Sequence, residues 1–330
     1  MPPLVVDVMT LHKAALIRQD QEQMTAMAAQ WRRVEDALQD QVELFARRVA
    51  EDRLNPGQIQ SRQFQLDRYQ SLLNQVRVEL DKYTNYAESL ITERQRTLGS
   101  TAINQAGQAI RAVANGVRIG FDVLPIRAIE NMVGLGGNGS PLRDLLVDSY
   151  GAAADGMLNA LVRATATGQN PRVTARSMIR QGLSQSLNRM MVTARTEQMR
   201  VFRESSRMAY QASGVVSGYR RLATKDSRTC SACLMLDGEL YELTETLREH
   251  PQGRCTLLPI VDGFKPVEWE KGQDWFKRQP PDTQRSILGK GRYDAWAAGK
   301  FDLDQLATVR RDPVWGDSAQ PTPLRDLVND

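Results

Sequence analysis

The chain has 330 residues, with 43 lysines and arginines against 39 aspartates and glutamates, for a formal net charge of +4. A surplus that small over that length argues against a nucleic-acid-coating protein, and the length itself exceeds what one core usually organises, so at least two regions are expected. Hydrophobic residues at 41% are ordinary for a folded protein, whereas aromatics at 6% are thin for β-sandwich cores, so the expectation leans toward helix.

The N-terminal segment MPPLVVDVMT lacks the basic-then-apolar order of a secretory leader, and nowhere do eighteen apolar residues run together without charge. The chain therefore reads as one made in the cytosol that stays soluble, with no membrane partner. From Met24 the apolar residues fall at Met24, Met27, Trp31, Val34, Leu38, Val42, Phe45 and Val49, a single helical stripe. Asn55-Pro56-Gly57 breaks it as a turn. A second stripe follows at Tyr69, Leu73, Val76, Leu80, Tyr83, Ala87 and Leu90. Two stripes of matched length across a short turn predict an antiparallel helical hairpin reaching about 60 Å, and the polar intervening faces favour an exposed arm.

From Gly99 the content of Gly, Ala, Asn and Ser rises, and GLGGNGSP at Gly134–Pro141 is a loop. Its Gly134, Gly136 and Gly139 fit a dinucleotide-binding spacing. No β-branched run precedes them, so a plain connector is the reading. Leu142–Thr167 and Val173–Ala212 read as helices, the second broken near Gly182, with a turn at Gly168–Pro171. A strand-like piece, a turn at Asp226 and Ser227, and a predicted hairpin centred on Asp237-Gly238 in LMLDGELYEL follow. Pro280-Pro281 stops the chain, Asp282 is a candidate cap for a helix ending at Gly289, and Tyr293–Ala298 reads as another ending at Gly299. Trp275, Phe276, Leu288, Trp296 and Phe301 form a candidate aromatic core, and DPVWGDSAQPTP reads as an extended tail.

All three cysteines, Cys230, Cys233 and Cys255, lie between Thr229 and Pro259 with His250, one of two histidines. An odd number of thiols in a reducing compartment argues against a disulfide framework. The pattern C-x2-C, sixteen residues, H-x4-C delivers three thiolates and an imidazole, the donors tetrahedral zinc takes at about 2.0–2.3 Å. Four protein ligands leave no open position, so the expectation is one structural zinc per chain on Cys230, Cys233, His250 and Cys255. The rivals are a thioredoxin-type redox pair, disfavoured by the predicted hairpin after Cys233; a zinc deaminase, whose histidine would lie upstream; a Cys-His nucleophile; and free buried cysteines beside an incidental histidine.

At these residues a family resemblance emerges. DSRTCSACLMLDG at Asp226–Gly238 and HPQGRC at His250–Cys255 resemble the signature of the phage head morphogenesis family, the Mu F-like minor head proteins of tailed bacteriophages. ARTEQMRVFRESSRMAYQASGV and DWFKRQPPDTQRSILGKGRYDAWAAGKFDLDQL resemble the family's preceding helix and closing segment, so the likeness spans about Pro141–Leu306. Asp226, Arg228, Cys230, Cys233, Asp237, Gly238, His250, Pro251, Arg254 and Cys255 match the signature. Gly253 stands where the family usually carries a cysteine, so either His250 is a ligand or the site is incomplete and the fold holds without metal. Asp226 and Arg228 would be catalytic only if a pocket faced them; an Asp opening a turn ordinarily bonds nearby amides.

The expected fold is mainly α: a helical hairpin arm over 1–98, a Gly/Ala-rich connector over 99–140, a head-morphogenesis-like domain over 141–308 with a small zinc-stapled β-hairpin element near 218–260 and a helical closing segment, and an extended Pro-rich tail over 309–330. The resemblance implies a minor capsid protein of the virion, made in the host cytoplasm, acting at the portal vertex in head assembly or DNA packaging. Its partners would be the portal protein, the major capsid protein, or both, with packaged DNA a non-specific contact. On this reading it is no enzyme and has no small-molecule substrate. The alternatives are a virion-delivered toxin-like or enzymatic effector, and a zinc-containing DNA-binding protein, the latter disfavoured by weak net charge and the lack of a basic helix after the cysteines.

Overall fold

A computed structural model describes residues 4–54, 62–114, 126–151, 153–183 and 186–328. In chain order the helical part comprises α1 (Leu4–Leu54), α2 (Arg62–Val113), α3 (Ile126–Glu130), α4 (Leu142–Asp148), α5 (Ala153–Thr167), α6 (Pro171–Leu183) and α7 (Ser186–Ser213). Strand β1 (Val216–Leu222), helix α8 (Ser231–Met235), and strands β2 (Leu240–Glu242) and β3 (Thr256–Val261) follow. Helices α9 (Gly272–Lys277), α10 (Pro281–Leu288) and α11 (Lys290–Ala297), a 3-10 turn at Leu303–Leu306, strands β4 (Ala307–Asp312) and β5 (Gly316–Pro321), and α12 (Leu324–Leu327) complete the chain. Among the described residues the fold is mainly α with two small antiparallel sheets. Among the described residues no helix is long and apolar enough to cross a membrane.

The chain forms two compact units that alternate in sequence. One comprises Gln19–Thr92 and Ser140–Ala194; the other comprises Met1–Arg18, Glu93–Gly139 and Arg195–Asp330. In the first unit the predicted stripes face each other. Met27, Trp31, Leu38, Val42 and Phe45 of α1 share a buried cluster with Leu72, Val76, Leu80 and Tyr83 of α2. The Trp31 and Tyr83 rings meet edge-on at 4.9 Å, and the Tyr83 hydroxyl donates to the Met27 carbonyl at 3.1 Å. Leu72, not Leu73, is the buried member of its turn. The Asn55-Pro56-Gly57 turn lies outside the described residues.

The hairpin is not a free-standing arm. Leu142 and Leu146 of α4, Met157 and Ala160 of α5, Met178 and Leu183 of α6, and Met190 of α7 complete the same core. Apolar stripes of this size bury more surface in a bundle than in a two-helix hairpin, at roughly 25 cal/mol per Å² removed from water. Tyr150, after α4, ties in further by donating to the Leu80 carbonyl at 2.7 Å.

In the second unit the expected connector is helical as far as Val113, because the small residues there serve close packing. A Cβ on Gly99 would meet Ile129 Cγ2 at 2.7 Å, and Ala102, Ala106 and Ala109 are buried alongside. The loop at 134–141 has Gly134 and Gly139 at positive φ and follows the short α3. A three-stranded antiparallel sheet, ordered β2-β1-β3, pairs Tyr219 with Tyr241 and with Pro259. Tyr210 of α7 packs on it, its hydroxyl donating to the Leu257 carbonyl at 2.9 Å.

Two further expectations are corrected here. The Asp237-Gly238 hairpin does not form: Ser231–Met235 is helical, and β2 pairs with β1. Ala, Leu and Met are good helix formers, and all five residues of that turn are buried. The tail is not extended. β4 and β5 pair from Ala307↔Pro321 to Asp312↔Gly316, Ser318 and Ala319 are buried, and Leu327 joins the cluster of Phe276, Leu288, Phe301 and Leu306. Asp312 Oδ1 makes the connecting turn by accepting from the amides of Val314 and Trp315, each at 2.8 Å. In α10 the chain enters through Pro280 at the N-cap, and Asp282 lies in the first turn without capping it.

Candidate metal centre

The second unit brings the cysteines and His250 together on three short pieces of backbone. Cys230 takes an extended N-cap conformation, and its sulfur accepts from the Cys233 amide at 3.5 Å, so the C-x2-C pair shares the first turn of α8. The reason for setting aside a redox pair, a hairpin after Cys233, is therefore absent: that segment is helical, though only five residues long. His250 and Cys255 flank a turn closed by the Gly253 amide donating to the His250 carbonyl at 3.0 Å, with Gln252 at φ 63°. Cys255 then leads into β3.

The Cys233 sulfur lies 3.2 Å from His250 Nε2. Ligand atoms of Cys230, Cys233 and His250 lie within 4.8 Å of one another, as do those of Cys233, Glu249 and Cys255. Cys233 and Cys255 are each 2% exposed. His250 Nδ1 is 2.8 Å from the Pro251 carbonyl, an acceptor that keeps a proton on Nδ1 and makes Nε2 the nitrogen facing the cluster. Thiol, imidazole and carboxylate are metal donors, and the arrangement is compatible with a metal ion.

Glu249, missed in the sequence reading, occupies the centre of this arrangement at 7% exposure. Its Oε1 is 3.3 Å from the Cys233 sulfur and 3.2 Å from His250 Nε2, while Oε2 accepts from Arg221 Nη1 at 2.9 Å. Arg221 is fully buried in β1 and also donates to the Tyr241 hydroxyl at 3.1 Å and the Arg248 carbonyl at 2.6 Å. Arg203 is buried with Nη1 donating to the Gly253 carbonyl at 3.2 Å, and Lys13 is buried with Nζ donating to the Leu222 carbonyl at 2.9 Å. Adjacency to His250 was the one sequence signal for Glu249. The three cations had none.

The electrostatics are those of an anionic cluster held by buried cations. Burial pushes the Glu249 carboxyl up, but Arg221, His250 and Arg203 outweigh it and hold it below the usual carboxylate range. Burial likewise lowers Arg221, and Glu249 with the Cys255 and Cys233 thiols more than reverses this. Lys13 is brought down to about 8 by burial, against the pull of Cys255 and Asp237. Among the thiols, the Cys233 hydrogen bond draws Cys230 down to about 5, whereas Cys233 is pushed up by its neighbours Cys230 and Cys255 and by burial. His250 rises to about 9, since Cys230 and Glu249 overcome its burial.

The other residues singled out with the cysteines build the frame. Asp226 receives both Arg254 Nη1 and Nη2 at 2.7 Å, together with the Arg228 amide at 3.0 Å and Thr229 Oγ1 at 2.9 Å. The Arg228 side chain itself is exposed. Asp237 accepts from the Ala223 amide at 2.8 Å and Trp269 Nε1 at 3.1 Å, and pairs with Lys225 at 3.3 Å. Gly238, at φ 95°, donates to the Arg221 carbonyl at 2.9 Å. Comparison with protein-family models, with curated proteins and with solved structures found no match.

Proposed function

We propose that this chain is a structural, assembly-directed protein: a minor head component of a tailed phage or prophage, acting through surface contacts at the portal vertex, with one structural zinc stapling its second unit. The supporting observation is that signature residues far apart in sequence converge on one frame. Asp226 clasps Arg254, Asp237 gathers Ala223, Lys225 and Trp269, and Cys233 belongs both to a close group with Cys230 and His250 and to one with Glu249 and Cys255. Such residues hold shape, as a filled zinc site does.

In the role proposed, Cys230, Cys233 and Cys255 supply thiolates and His250 supplies Nε2. The ion contributes folding energy rather than catalysis, and the buried Arg221, Arg203 and Lys13 balance the charge left on the thiolates. The work is then done by surfaces, with portal or major capsid protein as the partner.

Metal analysis of protein purified without chelator tests the staple, with one zinc per chain expected and a metal-free, natively folded protein overturning it. Mass spectrometry of purified particles tests the role, with the chain expected at low copy and Cys230→Ala expected to reduce infectious particles. Absence from both mature particles and assembling heads overturns the head-protein reading.

A further inference from the structure

We propose that Glu249 is itself a ligand of this centre, an oxygen donor bound through Oε1 beside the three thiolates and the imidazole. The inference rests on the zinc reading above and extends it from four protein donors to five.

The spacing is the first argument. Two adjacent donors bound to one metal at about 2.0–2.3 Å lie roughly 3–4 Å apart. Glu249 Oε1 stands 3.3 Å from the Cys233 sulfur and 3.2 Å from His250 Nε2, and Cys233, Glu249 and Cys255 place ligand atoms within 4.8 Å of one another. These contacts, a thiol donating to the carboxylate and a carboxylate–imidazole pair, fall on Cys233 Sγ and His250 Nε2, the atoms that face the cluster, and not on a ligand's far side.

Charge is the second. The Cys233 thiol donates to Oε1 at 3.3 Å, and once Cys233 and Cys255 serve as thiolates that proton is gone and the buried oxygen meets like charge in a low-dielectric interior. Arg221 answers Oε2, at 2.9 Å. Oε1 is directed at the sulfur and the imidazole, and a cation shared among them takes the place of the protons that hold these groups together without metal. The division of labour, one oxygen held by a guanidinium and the other offered to a metal, is how ligating carboxylates are oriented.

Space is the third. A Cβ at position 253 would overlap the Glu249 carboxyl, so the glycine leaves open the volume that the carboxylate fills. The side chain is seated by its neighbours, since Arg203 fixes the Gly253 carbonyl at 3.2 Å and the Gly253 amide closes the turn onto His250 at 3.0 Å.

X-ray absorption at the zinc edge, with optical spectra of cobalt-substituted protein, tests this on the full chain. The expected wild-type shell is three sulfurs and two nitrogen or oxygen donors. Glu249→Gln, which keeps an acceptor for Arg221, should lose one light donor and strengthen the cobalt d–d bands as the shell becomes four-coordinate. A wild-type shell of three sulfurs and one nitrogen, unchanged in Glu249→Gln, overturns the assignment while leaving the zinc reading intact. Wild-type protein that takes up no metal overturns both. Should Glu249→Gln fail to fold, the wild-type spectra decide alone, because an intense tetrahedral cobalt spectrum excludes a fifth donor.

Discussion

The carboxyl of Glu249 fills the space into which any side chain at Gly253 would project. Two residues of one tight turn are thereby coupled, and through Glu249 the coupling reaches the fully buried guanidinium of Arg221, 2.9 Å away.

That coupling makes Gly253→Ala costly although the glycine lies outside the positive-φ positions. The added methyl displaces Glu249 from Arg221, and breaking a buried ion pair costs about 3–5 kcal/mol. Urea unfolding should show a loss of that order, and a loss below about 1 kcal/mol would mean that the turn absorbs the methyl freely.

Arg221→Lys should not rescue Arg221→Met. The guanidinium serves Glu249, the Tyr241 hydroxyl and the Arg248 carbonyl at once, a fork that an ammonium cannot reproduce. Both variants are expected to melt well below wild type, and a wild-type melting temperature for the lysine variant would show that charge alone suffices.

Acid should weaken the Asp226–Arg254 clasp. Burial raises the Asp226 carboxyl, yet the hydrogen bonds from Arg254 and Thr229 and the charge of Arg254 hold it below its ordinary value. A carboxyl depressed on folding contributes stability that is fully present above its unfolded pKa of about 3.9 and is lost as pH falls through the folded value. Because Asp226 is partly solvent-exposed, the contribution is expected to be about 1 kcal/mol or less. Stability curves of wild type and Asp226→Asn should therefore converge as pH falls below the ordinary carboxylate range, and curves that stay parallel throughout the acid range would contradict the assignment.

In the first unit, Tyr83→Phe removes only the bond to the Met27 carbonyl and should cost about 1 kcal/mol. Tyr83→Ala also opens a cavity against Trp31 and should cost about 3–5 kcal/mol. Trp31 fluorescence during denaturation reports both, and equal losses in the two variants would show that the ring contributes nothing beyond its hydroxyl.

Leu327→Ala should destabilise the second unit by about 2–3 kcal/mol, because its side chain is buried with Phe276, Leu288 and Leu306. A neutral effect on thermal unfolding would restore the picture of a loose C-terminal tail.

Helices were legible in this sequence because their cause is local: the stripes from Met24 to Val49 and Tyr69 to Leu90 repeat every three or four residues whatever packs against them. The candidate donors were legible for the same reason, since Cys230, Cys233, His250 and Cys255 stand out by residue type and spacing. What covers the stripes was not legible. Periodicity marks an apolar face without naming its partner, and α4 to α7, not solvent, complete the core around α1 and α2. The sheet partners of β1, the pairing of β4 with β5 and the helical turn at Ser231–Met235 depended on burial and on strand alignment across long separations. Glu249 and Arg221 show the limit most clearly: they stand 28 residues apart, neither belongs to a repeating pattern, and their attraction exists only where folding has removed both from water.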